Sequence, residues 1–130
     1  MKFTNRHFYP FLGACFALSA VVLGAFGAHA LAEELTTRNS RPIWETAVHY
    51  QMWHALALLI ISRLKLTQNH LSIIGGLFVI GSVLFSGSLY ALALGGPGWL
   101  GPITPLGGLC LIIGWSVLVF SFYKTPPSRK

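Results

Sequence analysis

The sequence contains 130 residues, of which 54% are hydrophobic and only 9% are charged. Soluble domains carry about 25% charged residues, so this composition excludes a water-soluble fold of this size. Three long segments, 7–32, 46–62 and 66–123, contain no Asp, Glu, Lys or Arg. The net charge of +6 does not indicate nucleic acid as a partner, because the basic residues cluster at the two ends and between the apolar segments.

Four apolar segments have the length of a membrane span, which is about 20 helical residues for a hydrocarbon layer of about 30 Å. They are predicted as transmembrane helices at 8–31, 43–64, 71–94 and 103–123. The Gly and Pro residues between 95 and 105 separate the last two, and Ser40 is predicted to cap the second. Strands are disfavoured because the segments lack period-two alternation. The sequence therefore predicts an all-α, four-helix transmembrane bundle in a single domain, 1–130.

The basic residues near the predicted spans predict how the chain is oriented. Seven lie on one side of the membrane, namely Lys2, Arg6, Arg63, Lys65, Lys124, Arg129 and Lys130, whereas the other side has only Arg38 and Arg41. Because Lys and Arg concentrate in cytoplasmic segments, both termini are predicted to be cytoplasmic. The loop at 32–41 and the turn rich in Gly and Pro are then outside.

A cleaved signal peptide is an alternative interpretation of the first segment. A basic start is followed by an apolar core and by Ala28-His29-Ala30, which matches a cleavage pattern. However, the apolar stretch at 8–26 has 19 residues, longer than the core of a signal peptide and long enough to span. A retained first helix is therefore favoured.

Small residues recur at helical spacing in two predicted helices. In the first helix they form one stripe, and in the third they alternate with larger residues; the predicted packing positions are Gly13, Ala17, Ala20, Gly24, Gly27, Ser82, Gly87 and Ala91. Such residues let helix backbones approach closely in lipid. The alternative is that Gly and Ala are simply common in membrane helices.

Polar side chains concentrate in the predicted outer half of the spans, where all four helices contribute to one layer. Its members are His29, Glu45, His49, Tyr50, Gln51, His54, Ser86, Ser88, Tyr90 and Thr104. In the favoured interpretation they form hydrogen bonds between helices. In a second interpretation they form a path or site for a small solute, an ion or a proton, since ionisable groups inside a membrane are costly.

Metal or haem ligation is the third interpretation of this layer. Glu45 and His49 share a helix face, and His29 lies on the neighbouring helix, but the sequence has no second His pair at suitable spacing. Cys15 and Cys110 belong to no Cys-x-x-Cys or Cys/His motif. No metal and no cofactor are therefore predicted.

Catalytic motifs are also missing from the sequence. The Gly-Gly-Pro-Gly segment at 95–98 is not followed by Gly-Lys-Ser/Thr and is predicted to be a turn and not a phosphate-binding loop. The protein is predicted not to be an enzyme. The favoured function is that of a structural or interaction component of a membrane, and the alternative is a component of a small transporter or channel.

Four sequence blocks resemble one family of small membrane proteins. They are LGAFGAHAL at 23–31, Trp44-x-Thr-Ala-Val-x-Tyr-Gln-x-x-His54, LFSGSLYALAL at 84–94, and ITPLGG at 103–108 with Gly-Trp at 114–115. The chain is similar in these blocks to the domain of unknown function 423, which includes bacterial YgdD-like and YwdK-like proteins and eukaryotic transmembrane protein 256.

The resemblance implies a multi-pass protein of the bacterial inner (plasma) membrane that keeps its first helix and has no established reaction, substrate or cofactor. Most of the polar layer lies within the matching blocks, whereas Glu45 and His49 are not assigned to the family pattern. The lipid bilayer is the expected partner, and a second copy or another membrane protein is a further possible partner.

Overall fold

The computed structural model describes residues 5–123, and every regular element within that range is helical. The elements are α1 (Asn5–Ala28), α2 (Ala32–Thr37), α3 (Arg41–Ile61), α4 (Gln68–Ala93), a single 3₁₀ turn (Gly98–Leu100) and α5 (Ile103–Tyr123). The prediction of an all-α protein is confirmed for this part of the chain. Lys2, Lys124, Arg129 and Lys130, which contribute to the predicted orientation, lie outside the described residues.

Three helical segments among the described residues are long and apolar enough to cross a membrane: Arg6–Ala28, Gln68–Ala93 and Gly98–Tyr123. Helix α3 has 21 residues, so it has the length of a span. Its first two-thirds, however, carry Glu45, His49, Gln51 and His54, which lower its hydropathy. Length and composition alone therefore identify three spans where the sequence analysis predicts four.

The connection between α1 and α3 differs from the predicted loop. Helix α1 ends at Ala28, so His29 and Ala30 lie in a turn, and the Leu31 N–H donates to Phe26 O at 2.8 Å. The short helix α2 follows, anchored by the fully buried Leu35, which packs in one cluster with Trp44 and Ala93. The predicted first span, 8–31, is thus three residues too long at its carboxyl end.

Ser40 has a different role from the predicted cap of α3. Its hydroxyl donates to Ala93 O on α4 at 2.7 Å, and no side-chain cap bond is made to α3. The last carbonyls of a helix have no partner within the helix, so this bond satisfies one of them at the end of α4. At the other end of α4, Thr67 Oγ1 accepts from the His70 N–H at 3.2 Å and begins the helix.

The four long helices run in alternating directions. Trp44, near the start of α3, donates to Leu23 O near the end of α1 at 3.0 Å. Ser88, near the end of α4, lies 2.7 Å from the hydroxyl of Thr104 at the start of α5. Helix α4 packs against both α3 and α5, and the main cluster of buried apolar side chains centres on Phe78.

Large apolar side chains cover the outer surface. Helices α1 and α5 in particular expose Leu18, Val21, Ile112, Val119 and Phe120 by more than 60% each. A surface of this kind suits lipid, where an apolar side chain loses nothing by staying outside the core.

The small residues of α1 lie at its contact with α3. A Cβ at Gly13 would stand 2.7 Å from Ala55 O, and a Cβ at Gly27 would overlap the Trp44 indole. Ala20 is fully buried, while Ala17 and Gly24 are partly buried in the same stripe.

The predicted packing positions of α4 are less uniform. Ser82 is buried and Ala91 is partly buried, but Gly87 is exposed and a Cβ there would have no neighbour within 4 Å. Gly87 therefore makes no close helix contact within the described chain and lines an open groove between α1 and α4. The glycines at the α4–α5 contact are instead Gly81, against the Leu111 side chain, Gly107, against the Phe85 backbone, and Gly114, against the Phe78 ring.

We expect two Gly→Ala substitutions to have different effects. Gly13→Ala places a methyl group against the Ala55 carbonyl and should destabilise the protein by about 1–3 kcal/mol, as overpacking does. Gly76→Ala enters open space and gains up to about 1 kcal/mol of helix propensity. Unfolding of the purified protein in mixed micelles measures both. Equal effects would show that α1 and α3 are not in the described close contact.

Candidate functional site

Gln51 connects three helices inside the apolar interior. Its Nε2 group donates to Phe16 O at 2.9 Å and to Ser19 Oγ at 2.7 Å, both on α1. Its Oε1 atom accepts from the Tyr90 hydroxyl on α4 at 2.9 Å. The side chain is 8% exposed, so these three bonds replace the water that the amide would otherwise bind.

The direction of the hydrogen bonds around Gln51 follows from the chemistry of its partners. The Tyr90 O–H donates to the amide oxygen, and the amide N–H donates to Ser19. The Ser19 hydroxyl in turn donates to Cys15 O at 3.0 Å or to Phe16 O at 3.1 Å. The chain of bonds therefore ends on a backbone carbonyl. The Gln51 amide, which lies between Tyr90 and Ser19 in this chain of bonds, has no titratable proton. The network therefore holds the helices together and does not relay protons.

Trp44 extends this network toward the outer end of α3. Its indole donates to Leu23 O, and its ring packs edge-on against Tyr90 with 4.7 Å between centroids. Tyr90 is therefore positioned both by its hydroxyl and by its ring face.

His54 forms a second connection, between α3 and α5. Its Nδ1 atom lies 2.8 Å from Tyr50 O, and its Nε2 atom accepts from the Trp115 indole N–H at 3.0 Å. A carbonyl only accepts and an indole N–H only donates, so the imidazole is neutral with its proton on Nδ1. A proton on Nε2 would remove the bond from Trp115. Both nitrogens are thus occupied, and His54 has no free lone pair for a metal.

Three buried serines lie on α4, where Ser82 and Ser86 share one face and Ser88 lies about 160° around the helix axis from Ser86. Ser88 donates to Phe85 O at 3.0 Å and meets Thr104 on α5. Within the described residues, the buried hydroxyls of Ser82 and Ser86 have no hydrogen-bond partner. Ser82 lines the groove between α1 and α4, which has a volume of about 240 Å³.

His29, Glu45 and His49 do not join the buried network. His29 is exposed in the turn after α1, Glu45 is exposed and pairs with Arg41 at 3.1 Å, and His49 is exposed and stacks on Trp53 with 5.9 Å between centroids. The grouping of His29 with His54 is therefore wrong, because α1 ends before His29. No three His, Cys, Asp or Glu side chains come together anywhere in residues 5–123 in a way that suits a metal ion.

The predicted single layer is in fact three separate clusters. One joins Gln51 and Tyr90, a second joins Tyr50 and His54, and a third joins Ser88 and Thr104. Sequence reasoning missed Ser19 and Trp115 as their partners. For Trp115 a signal existed, since its indole N–H requires an acceptor in a membrane interior and His54 lies at a similar depth.

The comparisons with known proteins agree with the membrane character of the fold. A family model described as "Protein of unknown function (DUF423)" matches residues 23–108. A UPF0382 membrane protein of Staphylococcus epidermidis is 48% identical over 114 residues, covering 87% of this chain and 93% of the relative. The UPF0382 membrane protein YwdK of Bacillus subtilis is 45% identical over 116 residues, covering 87% and 94%. No solved structure matches the chain.

We expect a double-mutant cycle on Gln51→Leu and Tyr90→Phe to show coupling between the two side chains. Hydrogen bonds between membrane helices average about 0.6 kcal/mol and reach about 1.7 kcal/mol, so the interaction free energy should lie in this range. Unfolding of the four proteins in mixed micelles provides the values.

The control is a second cycle that pairs Gln51→Leu with Thr104→Val. Thr104 bonds to Ser88 and shares no partner with Gln51, so the two effects should add within about 0.5 kcal/mol. Coupling of the same size in both cycles would contradict the described network.

Proposed function

The chain belongs to the DUF423 family, and from this membership and the buried hydrogen bonds we propose a function as a non-enzymatic structural or interaction component of the bacterial cytoplasmic membrane. In this proposal α1, α3, α4 and α5 all cross the bilayer, and both termini are cytoplasmic. The observation that carries it is that Gln51 and His54 use their polar atoms to hold neighbouring helices.

The same observation supports α3 as the fourth span. A polar side chain is costly in hydrocarbon when its hydrogen bonds are unmade. Gln51 and His54 bond within the protein, and Trp44 reaches Leu23 O. Helix α3 can therefore cross a membrane in contact with its neighbours although its sequence alone is less apolar than theirs.

Charge supports the proposed orientation. Arg38 and Arg41, at the proposed outer end, are paired with Glu34 and Glu45. At the other end, Arg63 and Lys65 are exposed in the connection between α3 and α4. Within the described residues, the second end has three basic residues, Arg6, Arg63 and Lys65, against two at the first, and an excess of Lys and Arg is expected of a cytoplasmic face.

Transport through the polar clusters has less support. The three clusters are separate, and the chain of hydrogen bonds through Gln51 ends on a backbone carbonyl. His54 would lose its bond to Trp115 if it took a proton on Nε2. The Gln51 amide has no titratable proton, and both ring nitrogens of His54 are hydrogen-bonded, so neither side chain offers a free group to a passing proton or ion.

Reporter fusions test the topology. Alkaline phosphatase should be active when inserted near Trp99 and inactive when fused after Tyr123, because the enzyme folds only outside the cytoplasm. A fluorescent protein after Tyr123 should give the reverse pattern. Activity of phosphatase at both positions would overturn the proposal of four spans with cytoplasmic termini.

Replacement of His54 separates the structural function from transport. His54→Phe removes the bond from Trp115 and should lower the free energy of unfolding by about 1 kcal/mol. Liposomes with the unaltered protein should leak protons and potassium ions no faster than empty liposomes. A flux that the unaltered protein supports and that folded His54→Phe loses would establish the transporter alternative.

A further inference from the structure

A pocket of about 360 Å³ lies where the start of α1 meets the end of α3. It is lined by Arg6, His7, Pro10, Ser62 and Arg63. Because α1 is apolar from Phe8 onward, this pocket stands at the end of a membrane-crossing segment. Its depth corresponds to the headgroup region of a bilayer.

Arg6 is held in place by the end of α3. Its Nη1 group donates to Ser62 O at 3.1 Å and to Leu64 O at 3.3 Å, and its Nη2 group donates to Leu66 O at 3.1 Å. A guanidinium has five N–H groups, so the Nε–H and one Nη2–H have no partner among the described residues. These two donors form the side-on fork that binds phosphate oxygens in pairs.

No acidic side chain of the protein neutralises this pocket. The three acidic residues of the sequence are Glu33, Glu34 and Glu45, which belong to α2 and the start of α3. From Glu45 to Ser62 the helix rises by about 25 Å, which is about three times the screening length in physiological salt. Among the described residues, Arg6 and Arg63 therefore have no carboxylate partner in this pocket, so an anion from outside the chain can pair with them.

We propose that this pocket binds the phosphodiester headgroup of an anionic phospholipid. The arginines bind the phosphate oxygens, the exposed His7 side chain adds a further donor, and Pro10 contacts the glycerol end of the acyl chains. An anionic lipid is favoured over a zwitterionic one, because the headgroup of a zwitterionic lipid carries a positive charge that would be repelled by Arg6 and Arg63. The proposal needs only the membrane location of the chain and not the cytoplasmic orientation, so it stands or falls separately from the proposed topology.

Native mass spectrometry of the full chain in detergent tests the proposal, with added phosphatidylglycerol or phosphatidylcholine as probes. The unaltered protein should retain phosphatidylglycerol several-fold better than phosphatidylcholine. One basic residue near an anionic surface contributes about 1 kcal/mol, so Arg63→Gln should lower the affinity for phosphatidylglycerol about five-fold.

Arg41→Gln is the matched control, since it removes one arginine at the opposite end, and it should leave phosphatidylglycerol binding unchanged. Arg63→Lys keeps the charge and should bind phosphatidylglycerol with nearly the affinity of the unaltered protein. This variant keeps the test informative if Arg63→Gln fails to fold. Equal retention of both lipids, or an equal loss in Arg41→Gln, would overturn the proposal. Displacement of phosphatidylglycerol by millimolar inorganic phosphate would also overturn it, because the site would then be one for free phosphate.

Discussion

A polar side chain inside a bilayer has no water to bind, and this constraint determines how the helices of this protein are arranged. Among the described residues, helix α3 carries two buried polar side chains, Gln51 and His54, and each of them bonds to at least one neighbouring helix. Gln51 bonds to α1 and α4, His54 to α5, and Ser40, just before α3, to the end of α4. The least apolar of the four long helices is thus the one that fixes the positions of the other three.

Close backbone approach makes these bonds possible. The Trp44 indole reaches Leu23 O only because Gly27, one turn further along α1, leaves space for the ring. Helix α4 has the complementary function: it holds α5 through glycine contacts at Gly81 and Gly107, where van der Waals packing replaces the hydrophobic drive that lipid does not provide. Hydrogen bonds therefore specify which helices meet, while small residues set how near they come.

The sequence predicted the number, type and approximate position of the long helices, because apolar length and Gly/Pro breaks are local properties. It predicted the stripe on α1 for the same reason. It did not predict α2, whose six residues are held by Leu35 against residues distant in sequence. Gln51 and Tyr90, which the sequence groups in one polar layer, do bond to each other, but a helical wheel gives direction only about its own axis. How far each helix is rotated toward its neighbours depends on tertiary packing, so one predicted layer proved to be three clusters, with His29 outside all of them.

The polar residues of α3 make this helix less apolar than its neighbours, but they also attach α1 to it. Polar contacts hold α1 to α3 at three depths: Arg6 at the end of α3, Gln51 in the middle and Trp44 near the start. In each case the acceptors include backbone carbonyls, whose spacing along a helix is fixed, so the contacts together define both the rotation and the register of the pair. The small-residue stripe of α1 repeats every three to four residues, so it does not by itself select one register against an apolar neighbour. The polar residues of α3 thus provide specificity that its apolar surface cannot.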